Sequence, residues 1–214
     1  MRHRKVKNLE ERIEAARHYI VSDAKENKGK WREFFGAEQE SRLYMELGCG
    51  KGKFLCAHAE ADPEAHFIGI EGLDAVLIRG LENANEKRIA NIRFVMDYVS
   101  DIRDYFADGE LEGIYLNFSD PWPKPRHEKR RFTYGNTLLK YKQILKPGGF
   151  VAFKTDNEDL FTYSLEEIER LGLQIEELSR DLHASEYGAK TFTTEYEEKF
   201  SGKGKNINYV LLRF

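Results

Sequence analysis

At 214 residues, with 41% hydrophobic and 33% charged side chains, the chain has the balance of one globular α/β domain and not that of a disordered or fibrous protein. No stretch approaches the ~18 apolar residues of a membrane helix, and residues 1–7 are basic and polar with no apolar run behind them, so neither a membrane span nor a secretory signal is expected. The formal net charge of -3 is unlike that of many nucleic-acid binders, so any such role must rest on local clusters of charge.

In chain order, hydrophobic periodicity and turn residues predict a helix over 9–20 and then a segment, 28–36, whose Trp31, Phe34 and Phe35 pack against the main body. An alternating part follows: strand 43–47, helix 51–60, strand 66–71, helix 73–88, strand 92–96, helix 99–106 and strand 113–118, which runs into a proline-rich loop. Helix 132–145, the turn Lys146-Pro147-Gly148-Gly149, strand 150–154, helix 159–171 and strands 173–178 and 209–214 complete the chain. Such alternation implies a mostly parallel seven-stranded sheet with helices on both faces, and residues 1–40 read as a basic, helical extension to a domain over 41–214. Ligands of such sheets sit beyond the carboxyl ends of the strands, where every motif below falls.

Glu46-Leu47-Gly48-Cys49-Gly50-Lys51-Gly52 ends the first strand and leads into a helix. Glycines here let the backbone turn sharply and approach a ligand, but the spacing differs from the fingerprint of pyrophosphate-binding dehydrogenases. An acid two residues before the first glycine suits the ammonium group of a methionine moiety better than it suits a diphosphate. Glu71, at the end of the second strand, can accept from two ribose hydroxyls, and Asp97, after the third, can accept from an adenine amino group or cap a helix. Through these residues and the turn at Lys146-Pro147-Gly148-Gly149 the sequence resembles the Rossmann-like class I methyltransferases. The resemblance implies S-adenosyl-L-methionine as cofactor, held by Glu46, Gly48, Gly50, Gly52, Glu71 and Asp97.

After the fourth strand comes Asn117-Phe118-Ser119-Asp120-Pro121-Trp122-Pro123, followed at once by Lys124-Pro125-Arg126-His127-Glu128-Lys129-Arg130-Arg131. The prolines stiffen the loop, and five basic residues stand against the single acid Glu128. The Pro-Pro-aromatic pattern of amino-group methyltransferases is not found there. These residues, together with Phe153-Lys154-Thr155-Asp156-Asn157 and Thr194-Glu195-Tyr196-Glu197, resemble the tRNA guanine-N7 methyltransferase family from about residue 29 to the end. The resemblance implies methylation of guanine N7 in tRNA, in the variable loop. It makes Asp120 the active-site carboxylate bordering the cofactor, and Lys124, Asp156, Thr194, Glu195, Tyr196 and Glu197 contacts to the substrate. Arg126, His127, Glu128, Lys129, Arg130 and Arg131 become an RNA contact.

Guanine N7 carries a lone pair and no proton, so His127 and His183 are expected at the surface or near phosphates rather than as general bases. The N-terminal cluster Arg2, Arg4, Lys5 and Lys7 reads by itself as a solvated face. Cys49 and Cys56 lack the spacing of a zinc site or redox pair and read as reduced thiols of a cytoplasmic protein, and no metal is expected. No obligate protein partner is evident, and a monomer or homodimer is expected. Two other readings stay open: a methyltransferase acting on a different nucleic acid such as an mRNA cap, and an RNA-binding module without activity.

Overall fold

A computed structural model describes residues 6–201 and 204–214. Of the N-terminal basic cluster, Arg2, Arg4 and Lys5 lie outside the described residues. Seven strands form one sheet: β1 Leu43–Leu47, β2 His66–Glu71, β3 Ile92–Met96, β4 Leu111–Asn117, β5 Leu145–Thr155, β6 Gln174–Ser179 and β7 Asn208–Arg213. Their spatial order is β3-β2-β1-β4-β5-β7-β6. The first five run parallel, and β7 inserts antiparallel between β5 and β6.

Helices α1 Leu9–Ala15, α2 Trp31–Phe35, α3 Lys53–Ala61, α4 Asp74–Lys87, α5 Gly135–Ile144, α6 Glu158–Arg170 and α7 Glu195–Ser201 complete the fold. Two apolar cores lie on opposite faces of the sheet. One joins Met45, Ile68 and Ile114 to Leu138 of α5 and Phe161 of α6; the other joins Phe67 and Phe94 to Leu55 of α3 and Leu81 of α4. Burial on both faces is why the central strands are almost continuously apolar instead of alternating. Polar residues that nevertheless occur in them therefore have a specific reason to be there.

Element boundaries moved where a side chain or a strand competed for the backbone. The helix expected over 99–106 is a single short turn, Ile102–Asp104, which starts only after Asp101 because the Asp101 carboxylate caps it, accepting from the Arg103 amide at 3.1 Å and binding its guanidinium at 2.7 Å. The helix expected over 9–20 stops at Ala15, because Ile20 bridges Phe94 and the Val21 amide donates to the Phe94 carbonyl at 2.9 Å. The turn at Lys146-Pro147-Gly148-Gly149 is absorbed into β5 as an irregularity, with the register shifting between the Leu111 and Gly113 pairings. Trp31 is fully buried and donates its indole N–H to the Tyr105 carbonyl at 2.8 Å, which fixes α2 to the main body. Among the described residues no helix is long and apolar enough to cross a membrane.

Candidate functional site

The glycine loop after β1 is shaped by three left-handed residues, Gly48 (φ 73°), Gly50 (φ 57°) and Gly52 (φ 69°). The amides of Gly48 and Cys49 both donate to the Ile70 carbonyl, at 2.8 and 3.1 Å, so the loop hugs the end of β2. A Cβ on Gly52 would come within 3.0 Å of the Gly80 backbone, so this glycine allows α3 and α4 to pack closely. A Cβ on Gly50 would meet nothing within 4 Å, so that part of the loop faces open space.

Two carboxylates flank that space. Glu71 is half-buried and accepts from the amides of Gly50 (3.1 Å) and Leu73 (3.0 Å), which fixes both oxygens while leaving each able to accept again. Glu46 is 2% exposed; its Oε1 accepts from the Asn117 side-chain amide at 2.8 Å, and its Oε2 is buried without a partner. Burial pushes the Glu46 carboxyl up to about 8, against the Asn117 hydrogen bond and the charge of Lys154. An orphaned carboxylate oxygen beside an open glycine cradle fits a ligand that brings a cation to that point. Asp97 is exposed just beyond β3 and accepts from the Tyr105 hydroxyl.

The loop after β4 stores backbone strain: Phe118 (φ 51°) and Trp122 (φ 41°) are left-handed without being glycine. Asp120 lies between them, exposed. Arg131 holds the loop from below, donating to the carbonyls of Pro121 and Trp122, both at 3.2 Å, with its guanidinium 4.1 Å from the Tyr163 ring centre. Arg130 lies 4.9 Å over the Trp122 ring, and His127 meets that ring edge-on at 5.6 Å. The basic run, coiled as a short 3-10 helix over Pro125–Arg130, is thus of two kinds. Arg130, Arg131 and His127 brace the Asp120 loop, while Lys124, Arg126 and Lys129 are exposed; Glu128 is half-buried and its carbonyl accepts from the Arg131 amide at 2.9 Å.

The third part of the site is α7, folded over the ends of β4 and β5. Thr194 and Glu197 form a reciprocal N-terminal cap: Thr194 Oγ1 accepts from the Glu197 amide at 2.9 Å and Glu197 Oε2 accepts from the Thr194 amide at 3.2 Å. Glu197 is fully buried and also pairs with Lys154 at 3.3 Å. Its carboxylate therefore faces the protein in this structure, whereas Glu195 and Tyr196 are exposed. Lys51 and Lys53, on the glycine loop and α3, reach Glu195 (3.8 Å) and Glu198 (2.5 Å). Asp156 accepts from Lys205 at 2.9 Å and from the Tyr196 hydroxyl at 3.4 Å, and the Tyr196 ring lies 5.0 Å from that of Phe118.

All three motif groups thus gather at the carboxyl edge of the sheet. Sequence reasoning gave no role to Asn117, Phe118 or Lys154, although all three sit inside the motifs that carried the resemblance. The signal was available for two of them: an amide and an ammonium inside otherwise apolar strands. Among the described residues no group of three His, Cys, Asp or Glu side chains is arranged to hold a metal ion.

The sheet order, the single antiparallel strand near one edge, and the glycine loop flanked by acids at the ends of β1 and β2 define a class I S-adenosylmethionine-dependent methyltransferase. Solved structures share this architecture. An antibiotic-related methyltransferase superposes with a TM-score of 0.64 at 17% identity over 91% of this chain and 95% of its own, and a SAM-dependent methyltransferase from Aquifex aeolicus with 0.56 at 14% identity over 90% of each. The family description "Putative methyltransferase" matches residues 40–210. The chain is 43% identical over 100% of both chains to the tRNA (guanine-N(7)-)-methyltransferase of Streptococcus mutans. It is 47% identical to that of Halalkalibacterium halodurans over 84% of this chain and 80% of the relative. The chain belongs to the tRNA (guanine-N(7)-)-methyltransferase family.

Proposed function

We infer that this protein transfers a methyl group from S-adenosylmethionine to N7 of a guanine in tRNA, with the variable loop as the region modified. The observation that carries the reading is the orphaned Glu46 carboxylate and open glycine cradle set at the same sheet edge as the strained Asp120 loop. Held there by Glu46, Glu71 and the glycine loop, S-adenosylmethionine would supply a sulfonium methyl for transfer to the N7 lone pair, with the electrons of the broken C–S bond left on sulfur.

The chain's own residues bind, orient and balance charge. Glu46 Oε2 receives the amino-acid ammonium, Glu71 the ribose hydroxyls and Asp97 the adenine amino group, while Gly48, Gly50 and Gly52 keep the backbone clear of the ligand. N7 has no proton to lose, so no general base is required, and the rate rests on alignment and on stabilising a guanine that becomes cationic. Asp120, held by a loop that Arg131 and the prolines stiffen, supplies negative charge beside the cofactor. Asp156, fixed by Lys205, accepts from the guanine N1–H and N2–H edge, Tyr196 and Phe118 offer ring faces for the base, and Lys124 with Thr194 to Glu197 borders it. The exposed cations of 126–131, Arg126, Lys129 and Arg130, meet the tRNA backbone. A cytoplasmic setting goes with this substrate and with two free, buried thiols.

Incubation with cofactor labelled in the methyl group and bulk tRNA, followed by nucleoside analysis, is the test. Label in N7-methylguanosine is expected; label in another nucleoside, or none, overturns the reading.

A further inference from the structure

Lysine is almost never fully buried unless it is paired, yet Lys154 is 2% exposed near the end of β5. Its Nζ donates to the Phe192 carbonyl at 2.8 Å and to Glu197 Oε2 at 3.3 Å, both in the segment that carries α7, and lies 5.2 Å from the centre of the Phe54 ring in α3. Across the β4–β5 ladder its register partner is Asn117, whose amide donates to Glu46 Oε1 at 2.8 Å. Glu46 (2%), Asn117 (8%), Lys154 (2%) and Glu197 (0%) thus form one buried polar path from β1 to α7. We propose that Lys154 is a positioning residue for methyl transfer, holding α7 over the strand ends and sharing its charge between Glu197 and the Glu46 carboxylate that receives the cofactor's ammonium. The proposal rests on that reading of Glu46.

A purely structural ion pair would need no link to Glu46, and an apolar pair of the same volume would hold α7 as well or better. Here the path ends on the one oxygen pair of the cofactor cradle that is out of water. The groups that act on Glu46 are Asn117 and Lys154, which favour its ionised form, and Glu71, which opposes it; Cys49 and Tyr115 also feel its charge. Lys154 in turn faces Glu197 from α7 and His58 from α3, and Glu197 Oε1 also lies 3.1 Å from His183 Nε2. Within this set Lys154 supplies the positive charge, and Glu197 draws on the same charge from the other side. Removing Lys154 should therefore push Glu46 up. Loss of the Glu197 charge frees Lys154 towards Glu46 but also removes what holds the buried ammonium charged, so its effect on Glu46 is smaller.

The experiment is calorimetric titration of the full chain with S-adenosylmethionine from about pH 6 to pH 9, which brackets the Glu46 value of about 8, with steady-state kinetics on tRNA alongside. The proteins are wild type, Lys154→Met, Glu197→Gln, the double variant, and Glu46→Gln. Affinity in the wild type should fall as pH drops and Glu46 takes up its proton. The midpoint should move up by at least about half a unit in Lys154→Met and by clearly less in Glu197→Gln. The double variant removes both charges, so that neither is left unpaired, and should keep the upward shift. KM for tRNA should rise about tenfold in all three, on the scale of one charged hydrogen bond lost at the anchor of α7. Titration of the cofactor's own amine is common to every protein and drops out of the comparison. A Lys154→Met midpoint that coincides with wild type, or a Glu197→Gln midpoint displaced upward as far as that of Lys154→Met, overturns the proposal. A wild-type profile in Glu46→Gln would instead overturn the reading of Glu46 as the ammonium acceptor.

Discussion

Glu46 carries a cost that a cationic ligand would offset. A carboxylate with one neutral donor and one orphaned oxygen, at 2% exposure, is poorly solvated as an anion. Its pKa is raised in the folded protein from 4.5 to about 8, so the folded state holds the proton more tightly than the unfolded chain. The stability this contributes is fully present below about pH 4.5 and is lost as pH rises through about 8. Glu46→Gln removes the penalty. The cofactor-free variant should melt above wild type at pH 8 by the equivalent of a few kcal/mol, with the gap closing towards pH 5, while binding the cofactor more weakly. Thermal denaturation at the two pH values checks this; equal melting at pH 8 would mean the carboxylate is solvated after all. Asp120 shows the opposite case, an exposed carboxylate whose loop, not its burial, fixes it. Asp120→Asn keeps shape and loses charge, so in a single-turnover assay the rate should fall far more than tRNA affinity, which phosphate contacts dominate. Rates equal to wild type would move the active site away from this loop.

At the scale of elements, the Asp120 loop and α7 are where sequence and structure part company most usefully. The run from Lys124 to Arg131 reads in sequence as one uniform basic patch. In the structure, Arg131 is a strut under Pro121 and Trp122, and Arg130 lies on the Trp122 ring. The expected outcomes therefore split. Arg126→Ala with Lys129→Ala should weaken tRNA binding and leave the rate at saturating tRNA nearly intact, whereas Arg131→Ala should lower that rate by loosening a loop strained at Phe118 and Trp122. Saturation kinetics on the two proteins separates KM from kcat, and the same pattern in both would return the run to a single role. The helix α7 was legible in principle, since Thr194 and Glu197 have the spacing of a reciprocal cap, but a single apolar pair, Tyr196 and Phe200, among five polar residues is too short a stripe to fix a helical period. The fate of 99–106 was not legible: its periodicity is helical, yet the Asp101 carboxylate caps the Arg103 amide and delays the start to Ile102, leaving one turn.

Across the whole molecule, seven strands were readable because five of them are buried on both faces and so are nearly unbroken apolar runs. The antiparallel insertion of β7 was not, since strand composition does not encode neighbour or direction. Nor was the path from Glu46 to Glu197, which joins residues from β1, β4, β5 and α7 that are remote in the chain. The two ligands must also meet very different electrostatics. A chain of net charge -3 repels tRNA at long range, so binding rests on local clusters of exposed cations, of which the run with Lys124, Arg126, Lys129 and Arg130 is the one at the proposed site. Four phosphate contacts from that run alone give a slope of about -3 to -4 for log affinity against log salt, at roughly 0.9 per contact. If the cofactor's ammonium sits at Glu46 as proposed, it meets a carboxylate at 2% exposure, where salt screens little, and cofactor affinity should stay flat over the same range. Salt titration of both ligands on one preparation is the measurement. Removing residues 1–5 should leave the tRNA slope unchanged if the N-terminal cluster is only a solvated face. A slope that halves on that removal would shift recognition to the N-terminus, and equal slopes for tRNA and cofactor would mean that Glu46 is not where the ammonium binds.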